Sequence, residues 1–157
     1  MMSRFDALLT PDPLDLAGLN TRLPIARQTG ATASFTGYVR GENGLSGLEL
    51  LAHPVLTQAA LTQIAEDATR RFELTGLLIA HRHGRMQVGE PIVHIIAAAA
   101  HRRAALEAVS FVIDVLKTGA PFWKREWRGD TYQWIEPTPD DHDKAAQWLG
   151  ETNDRHS

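Results

Sequence analysis

Cysteine is absent from the 157 residues. That removes disulfides, a thiol nucleophile and thiolate metal sites together. No run approaches the ~20 apolar residues that span a bilayer. The start, Met1-Met2-Ser3-Arg4-Phe5-Asp6, lacks an apolar core of signal-peptide length. Net charge is -3, so there is no overall basic field for nucleic acid. Gly41, Gly44 and Gly47 make a flexible loop without the spacing or flanking helix of a phosphate loop. No internal repeat is evident. What remains is a chain that is 43% hydrophobic, enough for one domain with a real core. The expectation is a single domain over residues 1–157, with a body at 33–135 and peripheral segments at 1–32 and 136–157, in a soluble, cytoplasmic protein.

Taken in order, the residues up to Thr32 are broken by Pro11, Pro13 and Pro24, and Leu14, Leu16 and Leu19 are placed to pack on the main body. Ala33 to Arg40 reads as a strand, and Leu48 to His53 as a second ended by Pro54. Thr57 is a candidate cap for a helix whose face carries Leu61, Ile64, Ala65, Ala68 and Phe72. Arg70 and Arg71 near its end suit the helix dipole. Leu77 to His83 reads as a strand and Gly84 to Gly89 as a turn. Pro91 to Ala97 is a strand whose apolar run implies cover on both faces. The longest helix opens at His101-Arg102-Arg103 and buries Ala104, Ala105, Ala108, Phe111, Val112, Val115 and Leu116. Trp127 to Ile135 reads as two strands around Gly129-Asp130, and Asp143 to Leu149 as a short closing helix. Together these give an α+β fold with a largely antiparallel sheet and two main helices.

The stretch Leu116-Lys117-Thr118-Gly119-Ala120-Pro121-Phe122-Trp123-Lys124-Arg125-Glu126 organises the rest. Pro121 cannot continue a helix. Lys117 therefore lies at a helix end and Lys124 on the extended segment beyond, and a tight turn brings the two ammonium groups within reach of one place. Two lysines beside buried aromatics suit an anion site, or a site that keeps one amine neutral. From composition alone the plainer alternative is favoured, in which Pro-Phe-Trp is a core plug and the lysines are solvated. Arg40 sits where strand becomes loop, a frequent place for a functional side chain, though also for an ordinary exposed arginine. His101 and Arg102 open a helix whose amides favour anions; read plainly, they are exposed first-turn residues. Positive charge there works against the dipole, and such local conflicts are frequent at functional positions. His81, His83 and His94 imitate a metal site, but a strand-borne histidine pair without carboxylates is more often structural, and no metal is assigned. Arg40, His101, Arg102, Lys117 and Lys124 thus point to a cleft for an anionic ligand, without naming a reaction.

Four pieces in order carry a resemblance: Phe35-Thr36-Gly37-Tyr38-Val39-Arg40, Ala100-His101-Arg102, Leu116-Lys117, and Pro121-Phe122-Trp123-Lys124-Arg125-Glu126. From Ala33 to Ile135 the chain resembles the large, catalytic subunit of molybdopterin synthases, the MoaE family. The resemblance implies an α/β hammerhead-like fold and a sulfurtransferase without a bound cofactor. In that family a small ubiquitin-like partner carries a thiocarboxylate on a C-terminal Gly-Gly, whose tail inserts into the large subunit. Its sulfur passes to cyclic pyranopterin monophosphate, and two rounds make the molybdopterin dithiolene. By resemblance Lys117 lies beside the thiocarboxylate with Lys124 nearby; Arg40, His101 and Arg102 hold the anionic substrate; and Phe35 walls the pocket. The chain departs from relatives at Leu51-Ala52-His53-Pro54, Ala98, Ala99, Gly119 and Thr138, which touches fine substrate contacts and leaves both lysines in place. Arg102 and Lys117 stand at opposite ends of one helix, yet the resemblance assigns them to one site. A two-fold homodimer within a heterotetramer is therefore expected. Two rival readings stand beside this one: a non-catalytic binding module for a Gly-Gly tail, and an unrelated enzyme for a phosphate ligand.

Overall fold

The structure, a computed structural model, describes residues 4–136 and 139–155. Its elements run β1 (Phe5–Thr10), α1 (Leu16–Arg22), β2 (Ala31–Tyr38), β3 (Gly47–Ala52), α2 (Pro54–Arg71), β4 (Gly76–Arg82), β5 (Gly84–Gln87), β6 (Pro91–Ala99), α3 (Arg102–Gly119), β7 (Phe122–Arg128), β8 (Thr131–Ile135) and α4 (Pro139–Arg155). Among the described residues the strands form two sheets, ordered β1-β4-β6-β2 and β5-β3-β7-β8. All pairings are antiparallel except β1 along β4, so the α+β expectation holds.

β4 is buried along its whole length, and side-chain alternation explains how. Leu77 and Ile79 join Ile95, Ala97 and the inner faces of α2 and α3 in the main core. Leu78 and Ala80 point the other way and meet Ile96, Leu14 and Leu19 in a second core. The leucines of the N-terminal segment therefore pack as expected. His94 lies on that second face and ties α1 to the sheet: the Thr36 hydroxyl donates to Nδ1 at 2.7 Å, and Nε2 donates to Asn20 Oδ1 at 2.9 Å.

Several local expectations need correction. β1 emerges from a segment with no clear strand signal and gains its order from β4, more than seventy residues on. Gly84 to Gln87 is a strand rather than part of a turn; it buries only Met86 inward, too little for a legible alternation. The cap of α2 is His53, whose Nδ1 accepts from the Val55 and Leu56 amides, with Pro54 in the first turn where a missing N–H costs nothing. Thr57 is fully buried and does other work: it accepts from the His53 amide at 2.9 Å and donates to the Pro121 carbonyl at 2.8 Å. That bond clamps the start of α2 to the turn between α3 and β7. The closing helix α4 is also longer than expected, and β7 begins at Phe122 rather than Trp127.

α3 is a continuous helix whose buried side chains include Ala105, Ala108, Val109, Phe111, Val112 and Leu116. It contains no Pro or Gly before Gly119, so nothing kinks it. It stops at Ala120, immediately before Pro121. α4 is docked on it: Trp148 sets its ring edge against Phe72 and Phe111 and donates from Nε1 to Asp114 at 2.9 Å, while Arg71 donates to the Trp148 carbonyl.

Candidate active site

Where the two sheets meet the C-terminal end of α3, a cavity of about 390 Å³ opens. One face of the first sheet supplies Phe35, His81, Val93 and Ile95; Phe35 and Ile95 are register partners on β2 and β6. The second sheet supplies Leu50, Lys124 and Ile135, which lie side by side across β3, β7 and β8. α3 supplies Ile113, Leu116 and Lys117, and α4 supplies Asp141. The turn through Pro121 thus brings both predicted lysines to one apolar-walled space. Phe35 forms part of its wall.

The lysines differ in setting. Lys117 is about half exposed (51%), and its Nζ stands 3.4 Å from Asp141 Oδ1, whose side chain is 17% exposed. Lys124 has no ion pair among the described residues. Its neighbour Arg125 points to the opposite face of the sheet, as strand alternation requires, and pairs with Glu49 at 2.8 Å. Trp127 Nε1 also donates to Glu49, and the Arg125 hydrogen bond, ahead of that one, holds the Glu49 carboxyl below the usual range. The Lys-Arg pair of the sequence is thus split between a cavity role and a structural one.

None of the other predicted basic residues lines this cavity. Arg40 is 80% exposed in the loop after β2 and pairs with Glu42 at 2.8 Å. His101 precedes α3 as its N-cap without a side-chain capping bond. His101 and Arg102 line a separate open groove of about 550 Å³ with Arg103, Leu106 and Glu107. Along an unbroken helix, the fifteen residues from Arg102 to Lys117 span roughly 22 Å at ~1.5 Å per residue. One protomer therefore assembles the two lysines and Phe35, and keeps His101 and Arg102 at the far end of the helix.

Two cavity residues escaped the sequence reading. Asp141 was invisible because only the docking of α4 brings it to Lys117. His81 was noticed only as an imitation of a metal ligand. It is 8% exposed, and its ring stacks on Phe122 at 4.2 Å between centroids and 24° between planes. His94, which pairs in register with Ala80, faces the other side of the sheet, so the two histidines do not converge. Among the departures from the resemblance, His53 serves as a helix cap, Gly119 ends α3, and Thr138 lies outside the described residues.

Burial pushes the His81 imidazole down to about 4, with the nearby His83 a smaller contribution in the same direction; the bond to the Arg82 carbonyl opposes them. A histidine with a depressed native pKa binds fewer protons folded than unfolded, so stability is full above its unfolded value near 6.5 and falls as pH drops from there toward 4. The shift corresponds to at most about 3–4 kcal/mol. Burial pushes His94 down as well, in the same sense. Urea unfolding between pH 7.5 and 4 should show wild type losing stability through this window, and His81→Phe should flatten a large part of the slope. An unchanged slope in that variant would contradict a buried neutral imidazole.

Comparison with known proteins bears on the same framework. The family model described as "MoaE protein" matches residues 9–119. The molybdopterin synthase catalytic subunit of Caulobacter vibrioides is 44% identical over 142 residues, covering 89% of this chain and 95% of that protein. The solved molybdopterin cofactor biosynthesis protein E from Burkholderia multivorans superimposes with a TM-score of 0.76 at 35% identity, over 93% of this chain and 97% of its own. The crystal structure of molybdopterin synthase from Staphylococcus aureus gives 0.74 at 28% identity, over 86% and 98%. With a family match across most of its length and relatives sharing nearly its whole extent, the chain belongs to the MoaE family.

Proposed function

We propose that this chain is the catalytic subunit of a molybdopterin synthase and moves sulfur from the C-terminal thiocarboxylate of a small ubiquitin-like partner to cyclic pyranopterin monophosphate. The observation that carries the proposal is the convergence of Lys117 and Lys124 on one apolar-walled cavity in a chain of this family. With no cysteine in the sequence, this chain has no thiol of its own to carry sulfur, which fits a sulfur that arrives on the partner. A thiocarboxylate is already a good nucleophile. The protein's share of the chemistry is to neutralise anions and hold them in line, which fixed ammonium groups in a partly dry space do well. Lys117 acts beside the thiocarboxylate and Lys124 next to it. Phe35 packs against the inserted tail, and Arg40, His101 and Arg102 bind the anionic pterin. The assembly is a homodimer of this chain carrying two small subunits. No helix among the described residues is long and apolar enough to cross a membrane, and a cytoplasmic location belongs to the same proposal.

A non-catalytic module for a Gly-Gly tail would need the apolar slot but not two cations inside it. Presence of both lysines in the cavity favours turnover. The test supplies the protein with thiocarboxylated partner and cyclic pyranopterin monophosphate and measures dithiolene formed. One dithiolene is expected for every two thiocarboxylates consumed. Only glycine threads a narrow slot without side-chain clashes, so deleting the partner's last two residues should abolish transfer even if its globular part still docks. Binding of an intact partner without any conversion would leave the module reading in place of the enzyme.

A further inference from the structure

We propose that His81 is the hydrogen-bond acceptor inside this cavity for a backbone N–H of the inserted tail, namely the amide joining its two terminal glycines. The proposal rests on the tail-insertion reading above and adds to it a specific partner for the tail's backbone.

His81 reaches the cavity from β4, on the same face as Leu77 and Ile79, and lies against Phe122. Its Nδ1 is 2.9 Å from the Arg82 carbonyl oxygen. A carbonyl only accepts, so Nδ1 carries the proton and Nε2 keeps its lone pair. No donor among the described residues meets Nε2. Burial keeps the ring uncharged at neutral pH, so Nε2 stays an acceptor there. An extended tail brings two kinds of polar group into the cavity, its anionic end and its backbone N–H donors. The lysines answer the anion but have no lone pair to offer a donor. Asp141 is engaged with Lys117, and Glu136 is exposed. Among the described side chains that line the cavity, His81 is the buried acceptor, with apolar neighbours. There an unmatched N–H is costly and a matched one is worth most.

The experiment pairs two single-atom-scale changes. His81→Phe keeps a ring against Phe122 and removes the acceptor. On the other side, a ubiquitin-like sulfur-carrier protein from the same genome, ending in a Gly-Gly carboxylate, is made by ligation in two forms: native, and with the Gly-Gly amide replaced by an ester that has no N–H. Dissociation constants are measured by calorimetry for all four combinations. Each change alone should weaken binding about five- to tenfold, the worth of one hydrogen bond, and the two together should weaken it no further than either alone. Losses that multiply overturn the proposal. So does an ester tail that binds wild type as tightly as the amide, whatever the variant does to folding. A partner lacking both glycines completes the set: if it binds wild type as well as the full-length form, tail insertion itself has failed. A tail that matters while its amide does not removes His81 alone.

Discussion

Replacing Lys117 by alanine should leave a folded protein that has lost most of its dithiolene-forming activity, on the order of 10²–10³ in rate. The stability half of this expectation follows from geometry. The side chain is half exposed, and its ion pair among the described residues is with Asp141 at 3.4 Å. Pairs so open to water contribute roughly 0–1 kcal/mol, and the helix keeps its buried stripe without the lysine. The activity half follows from position. Lys117 is the last basic residue of α3, at the end that opens into the cavity, where Lys124 and the apolar side chains of Leu50, Ile113 and Ile135 line the same space. A cation placed where charge gathers in the reaction is worth far more there than in bulk solvent. Single-turnover dithiolene formation together with a thermal midpoint separates the two effects. A variant that melts near wild type and turns over near wild type would remove Lys117 from the chemistry.

The placement of the two lysines on either side of one turn was legible because its logic is local: a stripe of apolar residues announces α3 and Pro121 ends it. That the pair serves a site came from the resemblance, since composition alone favoured solvated lysines. β4 and β6 were legible for a local reason too, since continuous apolar runs between breakers need cover on both faces. β1 was not, because the order of Phe5–Thr10 comes from a parallel partner far along the chain. β5 was not, because four mostly polar residues carry no pattern. The cap of α2 was misplaced because histidine is a less usual cap than threonine, while Thr57 is held by a carbonyl across the fold. Phe35 entered by resemblance alone. His81 and Asp141 became cavity residues only through contacts between distant elements, and neither α4's docking nor the β4-to-Phe122 stack has a local signature. Arg40, His101 and Arg102 were grouped with the lysines on charge and family likeness, and within one protomer the length of α3 keeps His101 and Arg102 from the lysine cavity.

That separation leads to the second large effect. Mixing an Arg102→Ala chain with a Lys117→Ala chain should restore activity that neither homodimer has. α3 runs unbroken from Arg102 to Gly119, and the roughly 22 Å between Arg102 and Lys117 is more than two side chains close around one small pterin. His101 and Arg102 are exposed and line their own open groove, where a second copy of the chain has room to approach. In a two-fold dimer, the groove of one protomer facing the cavity of the other makes two equivalent sites, each drawing on both chains. Either single variant then damages both sites of its homodimer. In the mixed dimer, one site takes Lys117 from the Arg102→Ala chain and Arg102 from the Lys117→Ala chain, and is whole; the other lacks both. With independent sites, activity should return to about half of wild type. The mixed species is isolated by two different affinity tags and assayed at the same active-site concentration. A verified mixed dimer as inactive as its parents would mean that Arg102 and Lys117 do not meet across the subunits, and that the pterin site must be built from one chain by a different set of cations.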